Sequence, residues 1–567
     1  MSSARGVTVR CGLILAALFA VPSAARAQTY DLVLRGGRIV DGTGNPWRAG
    51  DVAVSGDRIA AVGHVAAGAG RRELDVRGLI VAPGFIDIHS HSDFHLLEDG
   101  NAESKVRQGV TTEVLGESSS PGPSLGKLRP ASAVVKGEKV EWTTLAGYFD
   151  ALERGTVSVN VASYCGLGSV WRCVMGDSFE RPRPDDFSQM QAVLAQAMAD
   201  GALGLSSLVA QPPDSLATTD DIAAFAAVAG QAGGIYSSHI RHEGENVLDA
   251  VREAIAIGER AHVRVDIIHL KIAEQKLWGR MREIVALIDE ARRRGVDVQA
   301  NVYPYTRGNN DLSSIVPPWA HEGGRDRLLA RLRDPQARER LKREITTGLP
   351  LWYNHYLAVG GDWSRMQVNG DLSAANDALE GLTMDRVLRL RAEKQGPREA
   401  LDVLFDLLIE ERGSVGTIYA HHTEEDMNLA LSQPWCSIGS DGLAHAVEGP
   451  LRRGRPHPRS FGTFPRVLGV YARDRGLLRL EDAVRKMTSL NAAKAGIKKR
   501  GLLAAGLFAD ITVFDPARII DRATYTDPFQ YPEGILFVIV NGAVVLEDGR
   551  HTGARPGRAL RGARQPD

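Results

Sequence analysis

Between residues 84 and 441 the chain keeps returning to one pattern, a short apolar run followed by a helical stretch. Such runs lie near 84–91, 109–117, 157–163, 203–207, 234–239, 263–269, 296–303, 416–421 and 437–441. Helical segments such as Asp220 to Ala232, Asn246 to Ala261 and Leu277 to Arg294 separate several of them. Neighbouring strands joined by helical crossovers must run parallel, since an antiparallel pair needs only a tight turn. About eight repeats predict an α/β fold, a closed (β/α)8 barrel. Nine runs are one too many. The stretch from about 317 to 398 breaks the rhythm and is predicted to be an insertion.

The two ends read differently from the middle but like each other. Tyr30 to Val62 and Ala509 to Val545 are short β-branched runs broken by Gly and Asn-Gly, the pattern of small antiparallel sheets. Residues 28–82 and 497–567 are therefore predicted to form one β-sandwich beside a barrel over 83–496. Ahead of them, Arg5 and Arg10 precede an apolar run from Cys11 to Val21 and the ending Ala25-Arg26-Ala27. That is the layout of a cleavable signal peptide over residues 1–27, which predicts an exported protein, periplasmic or secreted. The run is shorter than the roughly 20 residues that span a bilayer, so no stable membrane anchor is expected. Export would leave Cys165, Cys173 and Cys436, an odd number, with a Cys165–Cys173 bridge as one option. Lys plus Arg (68) nearly balances Asp plus Glu (69), which argues against nucleic acid and for a small-molecule partner.

Chemistry gathers where the strands end. In Pro83-Gly84-Phe85-Ile86-Asp87-Ile88-His89-Ser90-His91, alternation puts His89 and His91 on one face and Ile86 and Ile88 on the other. Barrel enzymes place their sites at the C-terminal ends of strands, and two neutral imidazoles there suit zinc or a similar ion. His239 and His269 close two later runs, and Asp441 closes the last. His421, His422 and His355 lie outside that order and read as structural histidines.

The order H-x-H, His, His, Asp resembles the amidohydrolase superfamily, and more closely its N-acyl-D-amino-acid deacylases, from Asp31 to about Arg558. Supporting stretches include Gly109-Val110-Thr111-Thr112, His239-Ile240-Arg241, His269-Leu270-Lys271, Tyr303-Pro304-Tyr305, Ser440-Asp441-Gly442 and His457-Pro458-Arg459. The resemblance implies a barrel-mouth metal centre flanked by a β-sandwich. It implies that His239 and His269 hold the tighter ion, that His89 and His91 complete a second or partial site, and that Asp441 moves protons during amide hydrolysis. It also implies that Lys271, Tyr303 and Arg459 grip a substrate carboxylate. The D configuration rests on the resemblance alone.

Departures from the family pattern are as informative. The deacylases usually carry a bridging cysteine after the second strand, where this chain reads Gly116-Glu117-Ser118. Ser118 is a poor ligand, whereas the carboxylate of Glu117 can bridge two ions, leaving one or two zinc ions as the expected cofactor. Asn301 stands where the relatives often have Asp. The expected reaction is cleavage of the amide C–N bond of an N-acyl amino acid. Hydrolysis of a cyclic amide or dipeptide-like compound is the alternative, and a metal-free binding protein is a third reading from another class.

Overall fold

Eight buried strands form the barrel: β1 (Phe85–Asp87), β2 (Val110–Leu115), β3 (Asn160–Ser163), β4 (Gly204–Leu208), β5 (Ile235–His239), β6 (Val265–Ile267), β7 (Val298–Val302) and β8 (Cys436–Ile438). The computed structural model describes residues 29–562, together with Met1 and Gly6. β1 to β3 form one parallel ladder and β4 to β8 another. Two seams close them into a ring. Leu203 N donates to Ser163 O at 2.9 Å beside β3, and Asp441 N donates to His89 O at 2.8 Å where β8 meets β1.

The crossover helices form where the sequence allows one apolar stripe. Helix Met281–Arg293 buries Met281, Ile284, Ile288 and Ala291, spaced to fall on one face. Helix Thr219–Gln231 begins with Thr218 and Asp221 satisfying each other's backbone amides in a capping box.

The surplus ninth run is not a barrel strand. Gly416–Tyr419 pairs antiparallel with Gly308–Asp311 and Met366–Val368 in a separate three-stranded sheet. Its residues pack against a core of their own, which includes Leu312, Ile315, Leu341, Ile345, Leu404 and Phe405. A buried strand has the same apolar signature whichever core covers it, so periodicity could not exclude this one. The material between β7 and β8 thus has its own core and extends past 317–398 on both sides.

Strands from both chain ends meet in one nine-stranded sheet. Ile511–Phe514, near the C-terminus, lies antiparallel to Ile80–Pro83, just ahead of β1. Leu34, Val52, Ile59, Ile511, Val513 and Ile539 share its core. The expected signal segment, apart from Met1 and Gly6, lies outside the described residues. Among the described residues no helix is long and apolar enough to cross a membrane. The optional Cys165–Cys173 bridge is not formed: Cys165, Cys173 and Cys436 are all buried free thiols, and burial pushes the Cys165 thiol pKa up.

Candidate metal centre

Six side chains reach one spot because five barrel strands end there. His89 and His91 follow β1, Glu117 follows β2, His239 ends β5, His269 follows β6 and Asp441 follows β8. The turn after β2 aims Glu117 inward. Gly116 sits there at φ +95°, and a Cβ on it would lie 2.5 Å from Tyr164 O, so only glycine fits. His269 and Asp441 adopt φ of 39° and 51°, a costly backbone for residues with side chains.

Glu117 lies between the two histidine pairs. Its Oε2 is 2.8 Å from His89 Nε2 and 3.3 Å from His91 Nε2. Its Oε1 is 3.3 Å from His239 Nδ1 and 3.9 Å from His269 Nε2. Asp441 Oδ1 completes the first group, 3.0 Å from His91 Nε2. Two donor sets result, His89–His91–Glu117–Asp441 and Glu117–His239–His269, each with ligand atoms within 4.8 Å of one another. Glu117 Oε1 is buried yet accepts no hydrogen bond. Four imidazoles and two carboxylates converging on one spot, with a buried carboxylate oxygen left unpartnered among them, fit a zinc-like cation. Ser118, next in sequence, belongs to neither donor set and lies beside Gly168 and Asp214 instead.

The charges set the protonation states. Burial opposes the ionised form of Glu117, but the neighbouring His89, His239 and His91 hold its pKa well below the usual carboxylate range. Burial likewise opposes ionised Asp441, and Arg459 and His89 reverse that. His91 is disfavoured as a cation by burial, yet Asp441 and Glu117 raise it to about 10. His269 is lowered to about 4, first by burial and then by Lys271 and His239.

A buried network holds the rim in place. Lys105, fully buried, donates to Asp87 Oδ2 at 2.8 Å, Ser440 Oγ at 2.9 Å and Gly442 O at 3.2 Å, and lies 3.4 Å from Glu113. It ties the β1 end to the β8 end, on either side of His89 and Asp441. Lys105→Met is expected to cost about 3–5 kcal/mol, since two buried carboxylates lose their cation. Urea unfolding of the variant measures this; a loss under about 1 kcal/mol would show that the network carries no such load. Asn301 acts similarly around β7: it donates to Asp266 Oδ2 at 2.9 Å and accepts His269 N at 3.0 Å.

The expected carboxylate-binding groups are present but engaged. Arg459 Nη1 is 2.7 Å from Asp441 Oδ2, and its guanidinium lies 4.8 Å over the Tyr303 ring. Lys271 ion-pairs with Glu243, and the Tyr303 hydroxyl is buried without a partner. Sequence reasoning missed Glu243, although its place four residues after His239 was a usable signal. It also set aside His355 and His421, which line the cavity at the centre together with Asn309, Asn310 and Tyr419. His422 lies beside them, its Nε2 2.8 Å from Tyr305 O.

A closed parallel barrel whose strand ends gather four imidazoles round two carboxylates has the architecture of a metal-dependent hydrolase. The model of the amidohydrolase family matches residues 72–546. The chain belongs to the amidohydrolase family. D-aminoacylase from Alcaligenes xylosoxydans xylosoxydans is 36% identical over 544 residues, 95% of this chain and 99% of that protein. A D-aminoacylase structure from work on its binuclear metal centre, with one-metal activation and second-metal attenuation, superposes with a TM-score of 0.77 at 35% identity, covering 94% of this chain and 99% of that one. The N-acyl-D-glutamate deacylase of Bordetella bronchiseptica, complexed with zinc and a phosphonate mimic of the tetrahedral intermediate, gives 0.77 at 32% identity, covering 94% and 100%.

Proposed function

We propose that the chain hydrolyses the amide C–N bond of an N-acyl-D-amino acid, releasing a carboxylate and the free amino acid. The observation that carries this is the placement of Glu117 between the His89–His91 and His239–His269 pairs, with Asp441 beside them. His239, His269 and Glu117 would hold the principal zinc-like ion, and His89, His91, Glu117 and Asp441 a second. When bound, the ion supplies Lewis acidity to the amide carbonyl and to the attacking water. Asp441, held ionised by Arg459, takes a proton from that water and returns it to the amine nitrogen as the C–N bond breaks. Lys271 and Tyr303 line the space where the substrate carboxylate would lie, and Arg459 stands behind them, paired with Asp441 and stacked over Tyr303.

The rest of the cavity favours a neutral side chain. Among the described residues lining it, Lys271 is the sole lysine or arginine, and the wall beyond is Asn309, Asn310, His355, Tyr419 and His421. Burial first, then the neighbouring His422 and Lys271, push the His421 pKa well below the usual imidazole range, and burial lowers that of His355 to about 3. A second substrate carboxylate would find no cation there.

Purified protein assayed with N-acetyl-D- and L-amino acids and with hydantoins tests the reading. N-acetyl-D-methionine should be cleaved, its L form and hydantoins poorly or not at all, and chelation should abolish turnover until zinc is restored. N-acetyl-D-glutamate should be poorer by about tenfold or more, the ratio that about 1.4 kcal/mol of unpaired-charge penalty produces. Hydantoin as the better substrate would sink the deacylase reading in favour of cyclic amides. The N-terminal layout further supports export with cleavage near Ala27, and the shared end sheet supports a sandwich domain from residues 28–82 and 497–567.

A further inference from the structure

Glu243 sits across the second histidine pair from Glu117 and is 2% exposed. His269 turns Nε2 toward Glu117 Oε1, at 3.9 Å, and Nδ1 toward Glu243 Oε1, at 3.3 Å. His239 does the reverse, with Nδ1 3.3 Å from Glu117 and Nε2 3.8 Å from Glu243. That Nε2 is buried without a hydrogen-bond partner. Lys271 Nζ ion-pairs with Glu243 and also lies 2.9 Å from His269 Nδ1.

An ammonium only donates, so a neutral His269 bonded to Lys271 accepts at Nδ1 and carries its proton on Nε2. A ring that ligates through Nε2 carries the proton on Nδ1 instead, where it donates to a carboxylate and cannot accept from Lys271. The two states exclude each other. Glu243 touches every group that must change between them.

Resting on the metal-centre reading above, we infer that Glu243 is a positioning residue that selects the ligating tautomer of His269 and releases one N–H of Lys271 toward the cavity. The imidazole stays neutral, losing a proton at Nε2 and gaining one at Nδ1. The ammonium stays anchored to Glu243 and to His269 O, 3.1 Å away. Its freed N–H then serves the substrate carboxylate, so ion uptake and substrate binding are coupled through one side chain.

Zinc affinity measured by chelator competition on stripped protein tests this, with the visible spectrum of bound Co2+ as a second readout. Glu243→Gln keeps the shape but removes the charge, and should weaken zinc binding about 10–100-fold. Because that variant leaves Lys271 buried without its partner, Glu243→Gln/Lys271→Met is measured alongside it and should show the same loss. Lys271→Met alone should bind zinc at least as tightly as the parent while KM for N-acetyl-D-methionine rises. A parent protein that takes up no ion defeats the metal-centre reading itself, and this inference with it. If the parent binds zinc and both Glu243 variants bind within about threefold of it, short of the loss an outer carboxylate carries, with unchanged Co2+ spectra, the Glu243 role alone is overturned.

Discussion

Asp441→Asn is expected to lower kcat by about 10²–10⁴, the usual contribution of a positioned acid–base group, while the ion held by Glu117, His239 and His269 stays bound. Asparagine keeps the volume and can still accept from Arg459, which sits 2.7 Å from Oδ2 in the native protein. What it cannot do is take a proton and give it back. Turnover of N-acetyl-D-methionine and elemental analysis on the same preparation separate the two effects. A variant within tenfold of the parent in kcat, with full metal content, would remove Asp441 from the chemistry.

Glu117→Ala should reach further, because Glu117 is the one residue common to both donor sets. Its loss leaves the His239–His269 pair with no carboxylate from either donor set and removes the link to His89, His91 and Asp441, and the expected fall in zinc affinity is at least about 100-fold, beyond the 10–100-fold typical of an outer partner. Activity at fixed zinc should fall with it. Ser118→Ala is the control: Ser118 belongs to neither donor set, so metal content should not change. Normal zinc binding by Glu117→Ala would mean that the histidines alone make the site and that Glu117 merely fills the space.

The strand-and-helix rhythm made the barrel legible, and alternation within Phe85 to His91 assigns both imidazoles to one face. These are local properties, since a period of two or of 3.6 is written in neighbouring residues. The His, His, His, His, Asp order was equally readable because each member closes a short apolar run. The run at 416–421 misled for the same reason: its apolar residues are buried, but in the insertion's core, and a pattern of burial does not say where the burying surface comes from.

Four features were decided only by tertiary structure. Glu117 rather than Ser118 enters the centre because the Gly116 turn, pressed against Tyr164, fixes which of two adjacent side chains points inward. Arg459 meets Asp441, and Lys271 meets Glu243, across loops from different strands. His355 reaches the cavity from within the insertion. Sequence by itself determined which groups stand at the strand ends, through short-range periodicity. Ring closure and loop packing determined which of them touch, because pairing of charges across distant loops depends on distances in space that no local pattern encodes.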